Sequence, residues 1–295
     1  MGFILEKIRD KILQADVAKI DTSRLHNDVT EVFDAPYIDD NFSGHTYDVF
    51  YRKDGNKKPI LIDIHGGGFI TEDKSMNRMF GNYMAHFGFT VFELNVRLAY
   101  PECSVFDQIM DIDCAVRYVL EHADDYEGDT SNLYVAGHSS GAVLAVSEVL
   151  LCLDSNMCAD YGIKDRDYKY KGVITDCGLL HFYKGTIHYW GMRGMIFPKG
   201  YKKDKRYNYL VFNQNESISL LPKMAILTNK KDVLRKMTFQ FDNVLTERNV
   251  EHELMLYGPV AHTGIIFYPY TEENVKVIEK VKKYLTAEEN GYNNA

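Results

Sequence analysis

The stretch Tyr134-Val135-Ala136-Gly137-His138-Ser139-Ser140-Gly141-Ala142 constrains this chain more than any other. A short apolar run that reads as a buried strand ends in G-x-S-x-G, and a strongly apolar, helix-length segment, Ala142–Leu153, follows at once. Small residues two positions either side of a serine let a strand and a helix approach across a very tight turn. Such a turn holds the serine at a strained backbone position. It lifts the hydroxyl above the sheet, with a helix N-terminus behind it that favours developing negative charge.

The remaining pattern supplies a sheet for that turn. Pro59–Ile64, Thr90–Val96, Lys171–Thr175, Lys223–Thr228 and Glu251–Tyr257 are further short apolar runs bounded by turns, and Tyr47–Arg52 alternates like an exposed strand. Runs of this kind are strands buried on both faces of a mostly parallel sheet. Val105–His122, Val233–Arg248 and Glu273–Leu285 lie between or after them and carry helical periodicity. Strands alternating with helices predict an α/β fold, a mostly parallel central sheet flanked by helices. The first twenty residues space Phe3, Ile4, Ile8, Ile12, Leu13 and Val17 as one face of an amphipathic helix. Residues 179–219 are too long for an ordinary loop and read as an inserted cap, so 295 residues make one large domain with an insertion. The expected division is an N-terminal cap segment at 1–35, a core at 36–178 and 220–295, and a cap insertion at 179–219.

Forty-two acidic against 34 basic residues leave a formal charge of −8. An acidic chain without a basic stripe is a poor nucleic-acid binder. No apolar run reaches the length of a membrane span, and the charged N-terminus lacks the apolar core of a signal peptide. Glu6 stands where a myristoylation signal wants Ser or Thr. Without a secretion signal, the sequons at Asn41 and Asn215 read as chance matches. The five cysteines (Cys103, Cys114, Cys152, Cys158 and Cys177) are odd in number and lack CxxC spacing. Free thiols in a reducing compartment, and hence the cytoplasm, are expected.

Ile64-His65-Gly66-Gly67-Gly68-Phe69 closes a predicted strand. Successive glycines leave backbone N–H groups able to converge on one oxygen, as a carbonyl turning into a tetrahedral anion requires. No Lys-Ser/Thr pair follows them, so a phosphate loop is a poor alternative. A serine hydroxyl needs a base, and the base an orienting acid. In α/β-hydrolases these follow in the order Ser, Asp or Glu, His, just past strand ends. Asp232 and His262 satisfy both order and place. Asp232 also suits a helix N-cap, and Asp242 is the alternative acid in mid-helix. His252 falls within a strand, and His181 and His188 fall in the insertion. His65 has no HxH or HExxH partner, so a structural role is expected and no metal or organic cofactor is called for.

Together, His65–Phe69, Gly137–Gly141, Asp232-Val233-Leu234 and the loop around His262 resemble the hormone-sensitive-lipase-like branch of α/β-hydrolase esterases. Arg97-Leu98-Ala99-Tyr100-Pro101-Glu102 resembles that branch's R-L-A-P-E segment with one residue added, and Asp111, with Ala115 and Tyr118 after it, resembles the helix that follows. The resemblance runs from about residue 47 to 286. It implies oxyanion donors at Gly67, Gly68 and Ser140, a cap over the site, and a catalytic set of Ser139, Asp232 and His262. His138 stands where the branch usually has Asp, as in arylformamidases and related feruloyl- and acetyl-esterase-like proteins.

The expected activity is hydrolysis of short-chain carboxylic esters, with a small ester as the partner and a homodimer left open. An arylformamidase-like amidase and a non-catalytic small-ligand binder on the same fold are the alternatives. Phe69, His138 and Trp190 are the expected substrate contacts. Phe182, Tyr183, Tyr189 and Phe197 join Trp190 as cap aromatics that would shape a small pocket.

Overall fold

The computed structural model describes residues 2–100, 103–164, 166–180, 193–258 and 260–287. Eight strands form one sheet: β1 Thr30–Pro36, β2 Thr46–Tyr51, β3 Lys58–Ile64, β4 Thr90–Leu94, β5 Gly128–His138, β6 Tyr170–Asp176, β7 Lys223–Thr228 and β8 His252–Leu256. Their spatial order is β1-β2-β4-β3-β5-β6-β7-β8. The pairs β1–β2 and β2–β4 are antiparallel, and every other pair is parallel. Helices α1 Gly2–Val17, α2 Arg78–His86, α3 Val105–His122, α4 Gly141–Leu153, α5 Ser155–Tyr161, α6 Arg235–Glu247 and α7 Glu272–Thr286 accompany it. The α/β architecture is therefore the one the apolar runs predict.

Two apolar clusters lie on the two faces of the sheet. One gathers Ile60, Ile62, Ile64, Val135 and Val173 with the inner faces of α3 and α4. The other gathers Leu61, Tyr134, Ala136, Ile174 and Ala225 with α2 and α7. Alternate residues of one strand thus feed opposite cores, which is why the central strands read as continuous apolar runs. β2 is a correction: five of its six residues are buried, because β1 covers the edge that the sequence leaves open. β1 itself falls within the segment assigned to the N-terminal cap, so the sheet begins before residue 36.

In the described part of the insertion, Phe197 stacks on Tyr201 with ring centroids 4.6 Å apart, and it lies 5.8 Å from Phe106 of α3. Leu210 and Phe212 are buried in the core. Phe197 therefore fastens the insertion to the body, which is a packing role rather than the pocket role expected. Phe182, Tyr183, Tyr189 and Trp190 lie outside the described residues. Lys202 and Lys203 are exposed, and Arg206 pairs with Asp204 over the Phe106 ring. The cysteines are free, with Cys158 and Cys177 buried.

Candidate active site

β5 delivers Ser139 to a turn where its φ is +53°. The glycines on either side are required by contact. A Cβ on Gly137 would lie 2.3 Å from the Gly141 carbonyl oxygen, and one on Gly141 would lie 2.3 Å from the Ile64 oxygen. Such distances are far inside van der Waals contact, so only glycine lets strand, helix and neighbouring strand meet here. The turn is pinned by Ser139 N–H donating to the Asp176 carbonyl at 2.9 Å and by Leu179 N–H donating to the Ser139 carbonyl at 2.9 Å.

The structure brings the three expected side chains into one line. Ser139 Oγ donates to His262 Nε2 at 2.8 Å, and His262 Nδ1 donates to Asp232 Oδ1 at 2.7 Å. Asp232 follows β7 and His262 follows β8, so both stand at the C-terminal edge of the sheet, beside the elbow. Asp232 also accepts from Leu234 N–H at 2.9 Å and from the Thr228 hydroxyl at 2.8 Å. Burial alone would raise its carboxyl. The hydrogen bonds from His262, Leu234 and Thr228 outweigh burial and hold it below the usual carboxylate range. Asp232 is not the N-cap of α6, a position that Leu234 takes, so its carboxylate closes the turn before the helix while it faces His262. Asp242 lies 3.3 Å from His252 and is not the carboxylate that His262 meets.

Gly67 and Gly68 have φ of +83° and +61° in the turn after β3. Thr71 closes that turn, its N–H donating to the Gly67 carbonyl at 3.0 Å and its hydroxyl at 2.9 Å. Phe69 N–H donates to Ser140 Oγ at 3.1 Å, which ties the glycine loop to the elbow. His65 is buried beneath the loop, and burial keeps its imidazole below the ordinary range, as a structural histidine would be.

Two of the expected substrate contacts are corrected. His138 is 0% exposed. It is the last residue of β5, and its side chain points down from the turn, the way opposite to Ser139. Nε2 donates to Asp63 Oδ1 at 3.0 Å and Nδ1 to Asp176 Oδ2 at 3.0 Å, with all three side chains fully buried. Burial disfavours the charged ring, but the Asp63 charge and the hydrogen bonds to both carboxylates outweigh it and push His138 up to about 10. Phe69 is 2% exposed, with its ring in the core. Its backbone carbonyl accepts from Ala99 N–H at 2.8 Å and from Gln108 at 2.9 Å. The third contact, Trp190, lies outside the described residues.

Sequence reasoning missed three contributors. Asn229 donates to the Ala261 carbonyl at 3.2 Å and so steadies the histidine loop. Arg9 of α1 donates to the Ala99 and Tyr100 carbonyls at 2.8 and 2.6 Å and also to the Ile70 carbonyl, which docks the N-terminal helix beside the glycine loop. Glu72 sits within that loop's outer turn at φ +67°. Arg97 clamps Asp111 of α3 through contacts of 2.6 to 3.1 Å, which joins the two segments that resemble the branch.

By residue type and spacing, two described groups could be considered as metal ligands. In Cys177–Asp232–His262, the imidazole and carboxylate are already committed to each other at 2.7 Å. In His26–Asp28–His86, the two imidazoles stack 3.6 Å apart at 6°, so one ion cannot lie in the plane of both rings as ligation requires.

Residues 47–190 match the BD-FAE family model. Superposed on esterase B of Lactobacillus rhamnosis, the chain gives a TM-score of 0.85 at 19% identity, covering 95% of this chain and 92% of that one. This chain has the α/β-hydrolase fold. An esterase from the bacterial hormone-sensitive lipase family superposes with a TM-score of 0.69 at 15% identity over 96% of this chain and 95% of that one, so the branch that the motifs resemble shares the fold. In sequence, a probable isoprenylcysteine alpha-carbonyl methylesterase of Oryza sativa is 22% identical over 82% of this chain, and the match covers 61% of that protein. An acetyl esterase of Salmonella schwarzengrund is 30% identical over 36% of this chain and 33% of its own length. The chain therefore spans less than two thirds of the length of the plant relative.

Proposed function

We propose that the chain is a carboxylesterase that works through an acyl-enzyme on Ser139. The observation that carries this reading is the unbroken line Asp232–His262–Ser139, with the serine held on a strained elbow beside a glycine loop. Ser139 attacks the acyl carbon as His262 Nε2 takes its proton. Asp232 keeps Nδ1 protonated and stabilises the imidazolium. The N–H groups of Gly67, Gly68 and Ser140 receive the oxyanion. His262 returns the proton to the leaving alcohol, and the same base then activates water to release the acid. The relatives named as esterases support the reaction class. A ligand-binding protein would have no use for a serine, a base and an acid in hydrogen-bonding sequence.

Asp232→Asn is expected to lower kcat by about 10³–10⁴, because the amide holds His262 in the wrong tautomer. Stopped-flow hydrolysis of p-nitrophenyl acetate measures it, and a nearly silent variant would mean that another group orients the histidine.

Within this reading the substrate is a small ester. The described part of the insertion packs tightly on α3, and exposed Lys202 and Lys203 are poorly suited to a lipid surface. A p-nitrophenyl ester series should show kcat/KM highest between acetate and hexanoate. A maximum at decanoate or beyond would overturn the small-pocket reading. Running N-formylkynurenine beside the series tests the amidase alternative, which a preference for the formamide would favour.

A further inference from the structure

Past the glycine loop the backbone leaves the left-handed region at Ile70, with φ of −121°, and returns to it at a residue that is not glycine. Glu72 has φ +67°, a conformation that glycine adopts without strain and a glutamate does not. Its side chain lies back over the loop. The point where a Cβ on Gly66 would sit is 3.2 Å from Ser139 Cβ and 3.5 Å from Glu72 Oε2, and Glu72 Cβ lies 2.9 Å from the corresponding point on Gly67. A carboxyl group and the nucleophile therefore flank the same point of the glycine loop.

That carboxyl is half-buried, and among the described residues its oxygens accept no hydrogen bond. Burial first, and then the Asp16 charge on α1, push it up to about 7, while His262 and Lys19 draw it the other way. Lys19 is already ion-paired with Asp16 and lies over the Phe267 ring, 4.8 Å from its centroid. Lys19 is thus committed to Asp16, and its charge reaches Glu72 only at a distance. A carboxylate next to an oxyanion hole disfavours the transition state of a neutral ester, since like charges repel. Its effect reverses if the substrate brings a cation.

We propose that Glu72 is a specificity-determining residue whose carboxylate receives an ammonium group carried by the ester substrate close to the scissile carbonyl. The proposal deepens the carboxylesterase reading and rests on it. The chemical class is an ester with a quaternary or protonated amine on its alcohol or its acyl part. The strain at Glu72 then has a function, because it aims the carboxylate into the site.

Isosteric substrate pairs isolate the charge. Acetylcholine and 3,3-dimethylbutyl acetate differ by the cation on the alcohol side. The p-nitrophenyl esters of 4-(trimethylammonio)butyrate and 5,5-dimethylhexanoate differ by it on the acyl side. The charged-to-neutral ratio of kcat/KM is measured for each pair in the wild type, in Glu72→Gln and in Glu72→Gly, the last of which also relieves the backbone. In at least one pair both variants should lower the ratio by about tenfold or more. Because a ratio cancels a general loss of activity, a variant that slows both esters alike would overturn the proposal and place Glu72 in support of His262. Unchanged ratios in both pairs would also overturn it. Should no ester be turned over at all, the esterase reading fails separately. In that case, choline protecting Ser139 from a fluorophosphonate better than 3,3-dimethylbutanol does, and only with Glu72 present, would still establish the cation site. Equal protection would remove it.

Discussion

Ser139→Ala should lower kcat by roughly 10⁴–10⁶ and leave the fold intact. The loss is large because His262 and Asp232 have nothing to activate once the hydroxyl is gone. Alanine fits the elbow, where the tight contacts belong to Gly137 and Gly141 rather than to the serine side chain. A fluorophosphonate probe should label the wild type at this position and spare the variant, with unfolding by circular dichroism confirming the structure. Ser140 is a poor substitute. It is 1% exposed and its Oγ already accepts the Phe69 N–H. Labelling that persisted in the alanine variant would nevertheless move the nucleophile there.

The second large effect concerns stability. His138→Ala removes the side chain that, among the described residues, bridges Asp63 and Asp176, and leaves two carboxylates in the core without their cation. Breaking such a buried arrangement by deleting one partner costs about 3–5 kcal/mol. Urea denaturation of the variant should show that loss, and a change below about 1 kcal/mol would overturn the reading of His138 as the cation between them. The wild type carries a matching pH signature. The folded-state value of His138 is raised to about 10 from an ordinary 6.5. Its contribution is therefore fully present below the unfolded value and is lost as pH rises through the folded one. The urea midpoint should fall between neutral pH and pH 10, and this component of the fall should be missing from the alanine variant.

Much of this architecture is legible from the chain because its signals are local. An apolar run ending in Gly137-His138-Ser139-Ser140-Gly141 demands a strand, an elbow and a helix, and the order of Asp232 and His262 past two later runs follows from strand ends alone. β1 escapes notice for a local reason too. Thr-Glu-Val-Phe-Asp-Ala-Pro mixes acids and a proline into an edge strand, and its identity comes from pairing with β2. α2 is short, and it buries Asn82, which bonds the His26 N–H at 2.8 Å, so apolar periodicity cannot reveal it. His138 is misread because adjacency to Ser139 in sequence suggests adjacency in the pocket, whereas neighbouring residues of a strand face opposite ways. The partners that give it a purpose lie 75 and 38 residues away. Arg9 acts through contacts equally remote, 61 to 91 residues along the chain.

The catalytic line also spans the chain unevenly. His262 is 123 residues from Ser139 but 30 from Asp232, and closing a long loop costs more entropy than closing a short one. During synthesis the elbow and the glycine loop leave the ribosome well before the base exists. Until β7 and β8 have joined the sheet, Ser139 has no acceptor for its proton and is chemically an ordinary serine. Under the proposed carboxylesterase reading the nascent chain is therefore silent by topology, and Ser139 gains its base only when β7 and β8 have docked.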